Sequence, residues 1–325
     1  MNVESLVAQV DRLQRRIPLI GFPLAVIRKY GEDAGARMAA LLTYYGFLSS
    51  IPILLIVVWA ATQLLRNDPQ VRDDFINAVV PESIADAVNS ALAAMPTSAL
   101  PLIVGIVGLL FTGNGIVFTI YDIINQLQGI PHRERFGFVP RYLRAFATLF
   151  TILMCIALIG AIAVGVSRLS LGGLDVLLGI VGIWLALGAM LFAVVALLSA
   201  RPGTWRAAWT GIVIGAVILT ILLVLGSWVL TLLVSRSGAV YGPFAAVVGL
   251  FSLFYFVSQG MVFAGEIAVV RRKRLWPRSL VATNPTEADG ASLLLRTRVE
   301  ERTETDRVAA AVRGEPSAPA ANQAG

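Results

Sequence analysis

Apolar and polar positions segregate along this chain on the scale of whole helices. Six apolar runs, at residues 38–65, 100–121, 146–166, 176–198, 209–234 and 243–270, each reach the roughly 20 residues that a helix needs to cross a bilayer. The pattern predicts an all-α polytopic integral membrane protein with six transmembrane helices, its membrane domain spanning residues 38–270. The first run begins after 37 residues and is too long for a signal sequence, so no cleaved leader is expected.

The flanking segments carry weaker periodicity. Val3, Leu6, Val7, Val10 and Leu13 recur at helical spacing among Glu4, Gln9, Asp11 and Arg12, which predicts an amphipathic helix in the N-terminal segment 1–37. That helix either lies on the membrane face or packs against the bundle. The connection 66–99 is long and acidic, and Ile84, Val88, Ala91, Leu92 and Met95 repeat every three or four residues after Pro81. A small helical cap over the outer mouth is expected there. Residues 271–325 read as a basic stretch followed by a mostly disordered tail, with at most a short helix near residues 292–312.

Composition and charge sharpen this picture. With 57% hydrophobic and 14% charged residues, the chain lies far from the roughly 25% charge of an average soluble domain. Lys and Arg divide unevenly over the short connections, twelve against four, with the richer side holding the approach to the first span and the connections after the second and fourth. Basic residues stay on the cytoplasmic side, so both termini are predicted to be cytoplasmic. The run "RRKRLWPR" directly after the last span agrees. Its Arg271, Arg272, Lys273 and Arg274 are expected to attract acidic lipid head groups at about 1 kcal/mol each. Membrane lipids therefore account for the basic balance, and no nucleic-acid partner is expected.

Little in the sequence points to reaction chemistry. There is one histidine and one cysteine. His132 lies among arginines in "GIPHRERF" and reads as solvated or head-group-facing, whereas metal-dependent nucleases need several His and Asp ligands at tight spacing. Cys155, within the third run, excludes an intrachain disulfide. No Gly-rich phosphate loop, paired membrane carboxylates or serine-hydrolase elbow is found, so neither enzymatic activity nor a cofactor or metal is expected.

The informative positions are polar groups inside apolar runs. Glu266 is the carboxylate deepest in any run, where an ionisable group costs about 2.5–3.5 kcal/mol even on a mild insertion scale. It is expected either in a structural buried pair or on a transport path. Asp122 and Asn125, three residues apart at the end of the second run, share a helix face and are candidates to meet Glu266 or an arginine of the basic run. Thr112 and Asn114, between Gly113 and Gly115, form a polar patch, while "GIVIG" (Gly211 to Gly215) and the doublets Gly105/Gly108 and Gly179/Gly182 suggest close helix approach. In "LLTYYGFLSSIPILL", Pro52 deprives the Leu48 carbonyl of its helical donor, a loss that Ser49 or Ser50 can repair. Tyr45 and Ser49 share one face beside that bend, which either glues helices together or lines a cavity.

The stretches "ARMAALLTYYGFLSSIPILL", "IYDIINQLQGIPHRERF", "RPGTWRAAWTGIVIGA" and "AVYGPFAAVVGLFSLFYFVSQGMVFAGEIAV", in that order over residues 30–275, resemble the YihY/BrkB family of bacterial inner-membrane proteins. Tyr44, Tyr45, Ser49, Pro52, Asn125, Tyr241 and Gly242 match the family pattern. Ala264-Gly265-Glu266 reverses the family's small pair, and Thr210-Gly211 stands where Pro-Gly is common. The resemblance implies a multi-pass protein of the bacterial plasma membrane. It brings two functional labels, a virulence or serum-resistance factor and a transfer-RNA-processing ribonuclease, and the second conflicts with the sparse histidines. Tyr45, Ser49, Pro52, Asn114, Asp122, Asn125 and Glu266 are thus expected to line a polar cavity or path for a lipid or other amphiphilic envelope molecule. The alternatives are a non-catalytic scaffold for envelope machinery and a membrane-bound hydrolase or nuclease.

Overall fold

A computed structural model of the chain describes residues 9, 11–15, 17–64, 67–79, 99–168, 173–201, 203–236, 238–281 and 285–302. Helix α1 (Pro18–Glu32) starts on Pro18, whose missing N–H is no loss in a first turn, and stops at Asp33. Ala34, at φ 57°, then turns the chain into α2 (Gly35–Leu64). After α3 (Pro69–Val79) come α4 (Leu100–Leu127), a 3-10 turn (His132–Glu134), α5 (Phe138–Ser167), α6 (Leu174–Leu198), α7 (Thr204–Arg236), α8 (Gly238–Lys273) and α9 (Glu287–Val299).

Helices α2, α4, α5, α6, α7 and α8 are long and apolar enough to cross a membrane. Several overrun the apolar runs that announce them: α4 continues to Leu127 and α5 already begins at Phe138. Polar residues at the ends of a span do not break a helix, so hydropathy marks the hydrocarbon depth and understates the helix. Only 17–33% of each span's most apolar window is buried within the protein. The rest, with Phe111 and Trp228 among the outward side chains, faces the lipid that serves as its solvent.

The spans pack in a ring. α7 against α8 is the most extensive contact, followed by α2 against α4, α5 against α6, α6 against α7 and α8 against α2, and a slighter contact of α4 with α5 closes the circle. Small residues set the close approaches. A Cβ on Gly211 would lie 2.8 Å from the Ala264 carbonyl oxygen, so the GIVIG segment lets α7 sit on α8. Gly182 meets Ile162 similarly between α6 and α5, where a Cβ would come within 3.0 Å.

The structure bears on three expectations about the flanks. The tail is not uniformly irregular: α9 begins with a capping box in which Thr286 and Asp289 bond each other's backbone N–H, and its Ser292 and Val299 are buried. The signal was Thr286-x-x-Asp289, masked by the low hydropathy around it. Part of the 66–99 connection is helical as α3, which buries Ile76 against Val58 and Ala61, while the cap expected over 84–95 lies outside the described residues. Near the N-terminus, residues 11–15 are helical and pack inward, Asp11 accepting from the Leu280 N–H (2.7 Å) and the Gln14 amide donating to the Arg278 carbonyl.

Candidate functional site

The polar face of α2 is packed against α4. Pro52 lies on Gly108, where a Cβ would be 3.2 Å from the proline ring, and the Tyr45 ring covers Gly115. Gly105 is closed off by Ile56 of the same face. The glycines of α4 therefore form a groove that receives Tyr45, Pro52 and Ile56. Ser49 is fully buried, and neither its hydroxyl nor the Asn114 side-chain oxygen has a hydrogen-bond partner among the described residues. Ser50 donates to the Phe47 carbonyl (2.7 Å) rather than to that of Leu48. This face joins helices, the first of the two roles open to it.

Asp122 and Asn125 part company despite their spacing. Asp122 turns outward and pairs with Arg135 (3.2 Å) and Arg141 (3.4 Å). Asn125 is wholly buried and finishes α6: its amide donates to the Tyr121 and Leu198 carbonyls (2.7 and 3.1 Å), and its oxygen accepts from the Ala200 N–H (2.9 Å). Carbonyls in a helix's last turn lack intrahelical donors, and Asn125 supplies one of them across the ring. Neither residue meets Glu266.

Glu266 instead meets Lys29. The ammonium, 1% exposed, lies 3.3 Å from the Glu266 carboxylate and bonds Asp33 one turn on in α1. Buried lysines are found almost only when paired, so Lys29 is the residue that reading by hydropathy missed. Its signal was Lys29 and Asp33 at i, i+4 beside Ala25 and Val26, which are themselves buried. Alongside, Tyr30 stacks on Phe263 (4.2 Å) and donates to Gln259, tying α1 to α8 a second time.

The same end carries a second ionic cluster. Arg278, 3% exposed, is bonded by Glu32 (2.7 and 2.9 Å) and Asp289 (2.7 Å), and Asp289 also receives Arg28 (3.3 Å). Burial opposes ionisation of Asp289, yet bonds from the Thr286 N–H, Arg278 and the Ser279 N–H outweigh it and hold the carboxyl down at about 2. Glu32 is likewise lowered: burial works against it, and Arg278 and Arg28 prevail. Arg278, the last residue of the basic run, is thus engaged within the protein. Arg271, Arg272, Lys273 and Arg274 remain exposed. His132 is exposed, and its Nδ1 contacts the Val299 carbonyl of α9 (2.5 Å).

Two cavities flank the last turn of α4. One, about 290 Å³, runs inside the ring and takes lining from all six spans, including Gly46, Ile120, Ile152, Val194, Ile212 and Val257. On α8 the lining extends from Phe254 to Arg272, roughly 27 Å of helix at 1.5 Å per residue. It is apolar nearly throughout, with Gln128 and Arg272 at one end. Tyr45, Ser49, Pro52, Asn114, Asp122, Asn125 and Glu266 stand outside its lining: Tyr45 and Pro52 pack on α4, Asp122 and Glu266 form ion pairs and Asn125 caps α6. The other cavity, about 380 Å³ and polar, lies between the α1–α2 corner, Gln126 and α9.

Comparison with known proteins agrees with this architecture. The family model described as Virulence factor BrkB matches residues 26–286. The inner membrane protein YhjD of Escherichia coli (strain K12) is 23% identical over 313 residues, covering 87% of this chain and 90% of its own. An uncharacterized protein of Dickeya dadantii (strain 3937) is 27% identical over 158 residues, 44% of this chain and 47% of that one. No solved structure matches. On the family match and the six apolar helices together, the chain is a membrane protein that belongs to the Virulence factor BrkB family.

Proposed function

We propose that the protein handles a lipid or other amphiphile of the bacterial envelope, its apolar chain entering the axial cavity and its acidic head group held at Arg272. The observation that carries this reading is the cavity itself: six spans surround an elongated apolar space, close to the lower limit of ordinary ligand pockets at about 300 Å³, with a guanidinium at one end. A long, narrow, apolar shape suits a hydrocarbon chain better than a compact polar solute. Arg271, Lys273 and Arg274 surround the head-group position with further positive charge. On the charge distribution of the connections, this basic end and both termini are cytoplasmic, in the plasma membrane.

The reading involves no chemical conversion and no cofactor. A scaffold for envelope machinery is its rival and draws on the close packing of Tyr45 and Pro52 against α4, the region first expected to be open. Purified protein in vesicles should move a labelled acidic lipid between leaflets faster than empty vesicles do. Ile120→Trp or Val257→Trp, which fill the cavity, should abolish the gain, while Val247→Trp on the lipid-facing side should leave it intact. Arg272→Gln should reduce the preference for acidic over neutral lipids. Movement equal to that of empty vesicles, or unchanged in folded cavity-filling variants, would refute the transport reading and favour the scaffold.

A further inference from the structure

The polar cavity at the basic end is walled by three cations and three carboxylates, yet these do not cancel in place. Glu32 is occupied by Arg278 and Arg28, and Asp33 by Lys29, whose ammonium it shares with Glu266. Arg37, on the first turn of α2, and Arg296, on α9, line the same cavity without an ion pair or hydrogen bond among the described residues. Gln126, at the end of α4, lines the cavity too, its carboxamide also without a hydrogen bond among the described residues. Glu300 is exposed and, among the described residues, is the lining carboxylate that no cation holds within bonding distance.

We propose that this cavity binds a phosphate-bearing anion, gripped from opposite walls by Arg37 and Arg296. Guanidinium forks match the oxygens of phosphate and form charge-assisted bonds to them, and two forks suit a group that carries close to two negative charges. Gln126 supplies a neutral N–H donor. Because Arg37 belongs to the membrane ring and Arg296 to α9, the bound anion fastens α9 across the mouth of the cavity. The site is separate from the axial cavity, since it lies on the other side of the α4 terminus, and it stands whether or not lipid moves through the ring. The same chemistry comes from free phosphate or from a phosphomonoester lipid head group at the membrane surface near Arg37.

Titration of the full-length protein in detergent with inorganic phosphate at constant ionic strength gives one arm of the test. Amide exchange of α9 in phosphatidylcholine nanodiscs, with and without phosphatidic acid, gives the other. Saturable binding or slowed α9 exchange is expected, weakened roughly tenfold by Arg37→Gln or Arg296→Gln and strengthened by Glu300→Gln. The Arg271→Gln/Arg272→Gln double variant should bind as the parent does. Arg37 and Arg296 are exposed and unpaired, so their variants remain folded and monodisperse. A response to inorganic phosphate identifies a soluble ligand, a response to phosphatidic acid alone identifies a head group, and either one, if lost in the Arg37→Gln/Arg296→Gln variant, supports the site. No response in either arm, or a response that survives that double substitution, overturns it.

Discussion

The ring of six spans and the terminal assembly built on it are held together by opposite means. In the ring, Tyr45 and Pro52 of α2 rest on Gly115 and Gly108, Gly211 rests on Ala264, and the interior is an apolar space. In the terminal assembly, α1, α9 and the end of α8 are joined by Lys29 between Asp33 and Glu266 and by Arg278 between Glu32 and Asp289. The contrast follows from the surroundings. Among lipid tails apolar contact gives no solvent-driven advantage, so shape and small residues decide the packing. At the membrane's edge charges are near water, and a pair buried there is oriented by its hydrogen bonds while its desolvation remains costly.

The largest test of that division is the removal of one buried partner. Lys29→Met leaves Asp33 and Glu266 facing each other without a cation, and breaking a buried pair in this way costs about 3–5 kcal/mol. A fall of that size in unfolding free energy, measured in detergent, is expected, and Glu266→Gln should cost less because it removes a charge instead of stranding one. A smaller loss, about 1–3 kcal/mol, is expected for Gly105→Leu, whose Cβ would start 2.7 Å from Ile56. The two losses should be distinguishable by salt. The first should change with ionic strength only modestly, since burial limits screening, and the second not at all. Equal costs for Gly105→Leu and for a leucine at an outward site of α4 would break the claim that shape holds the ring.

The ring was legible in the sequence because hydropathy over about 20 residues reports directly on the solvent of a span. The same logic made Tyr45, Ser49, Pro52 and Glu266 conspicuous, yet it did not say what they met. A polar group in an apolar run is costly to leave unsatisfied, and protein, water and another helix are equally good partners on paper. Gly105, Gly108 and Gly115 held the answer, since a spaced row of glycines on α4 is the mould for a proline and a tyrosine on α2. For Glu266 the partner lay 237 residues away, on α1, which is not one of the six apolar spans, where no local pattern reaches. The short polar capping signal at Thr286 was legible in principle but overshadowed by the Ala, Pro and Glu content of the tail around it.

The remaining predictions separate α9 from the ring. The Asp289 carboxyl is held at about 2, below an unfolded value near 4. Its contribution to docking α9 is therefore complete above about pH 4 and is lost as the pH falls toward 2. The full effect corresponds to about 2 kcal/mol. Protection of α9 amides, taken relative to their intrinsic exchange rates at each pH, should fall by about 30-fold through that window while the spans stay protected. Simultaneous loss of both would mean that the terminal assembly and the ring unfold as one unit.

The smallest effect is expected from the α9 cap. Thr286 accepts the Asp289 N–H at 3.3 Å and donates to the Pro277 carbonyl at 2.9 Å, so it anchors the helix start to the chain leaving α8. Thr286→Ala removes both interactions and should cost about 1 kcal/mol, concentrated in the first turn of α9. Amide exchange at residues 287–290 should speed up roughly fivefold, with no change at the Lys29–Glu266 pair or along the spans. Thr286→Ser, which keeps the hydroxyl, should restore the parent rate. If Ser fails to restore it, the methyl packing of Thr286 rather than its hydrogen bonds holds α9 in place, and the ionic account of the terminal assembly weakens at the point where α9 begins.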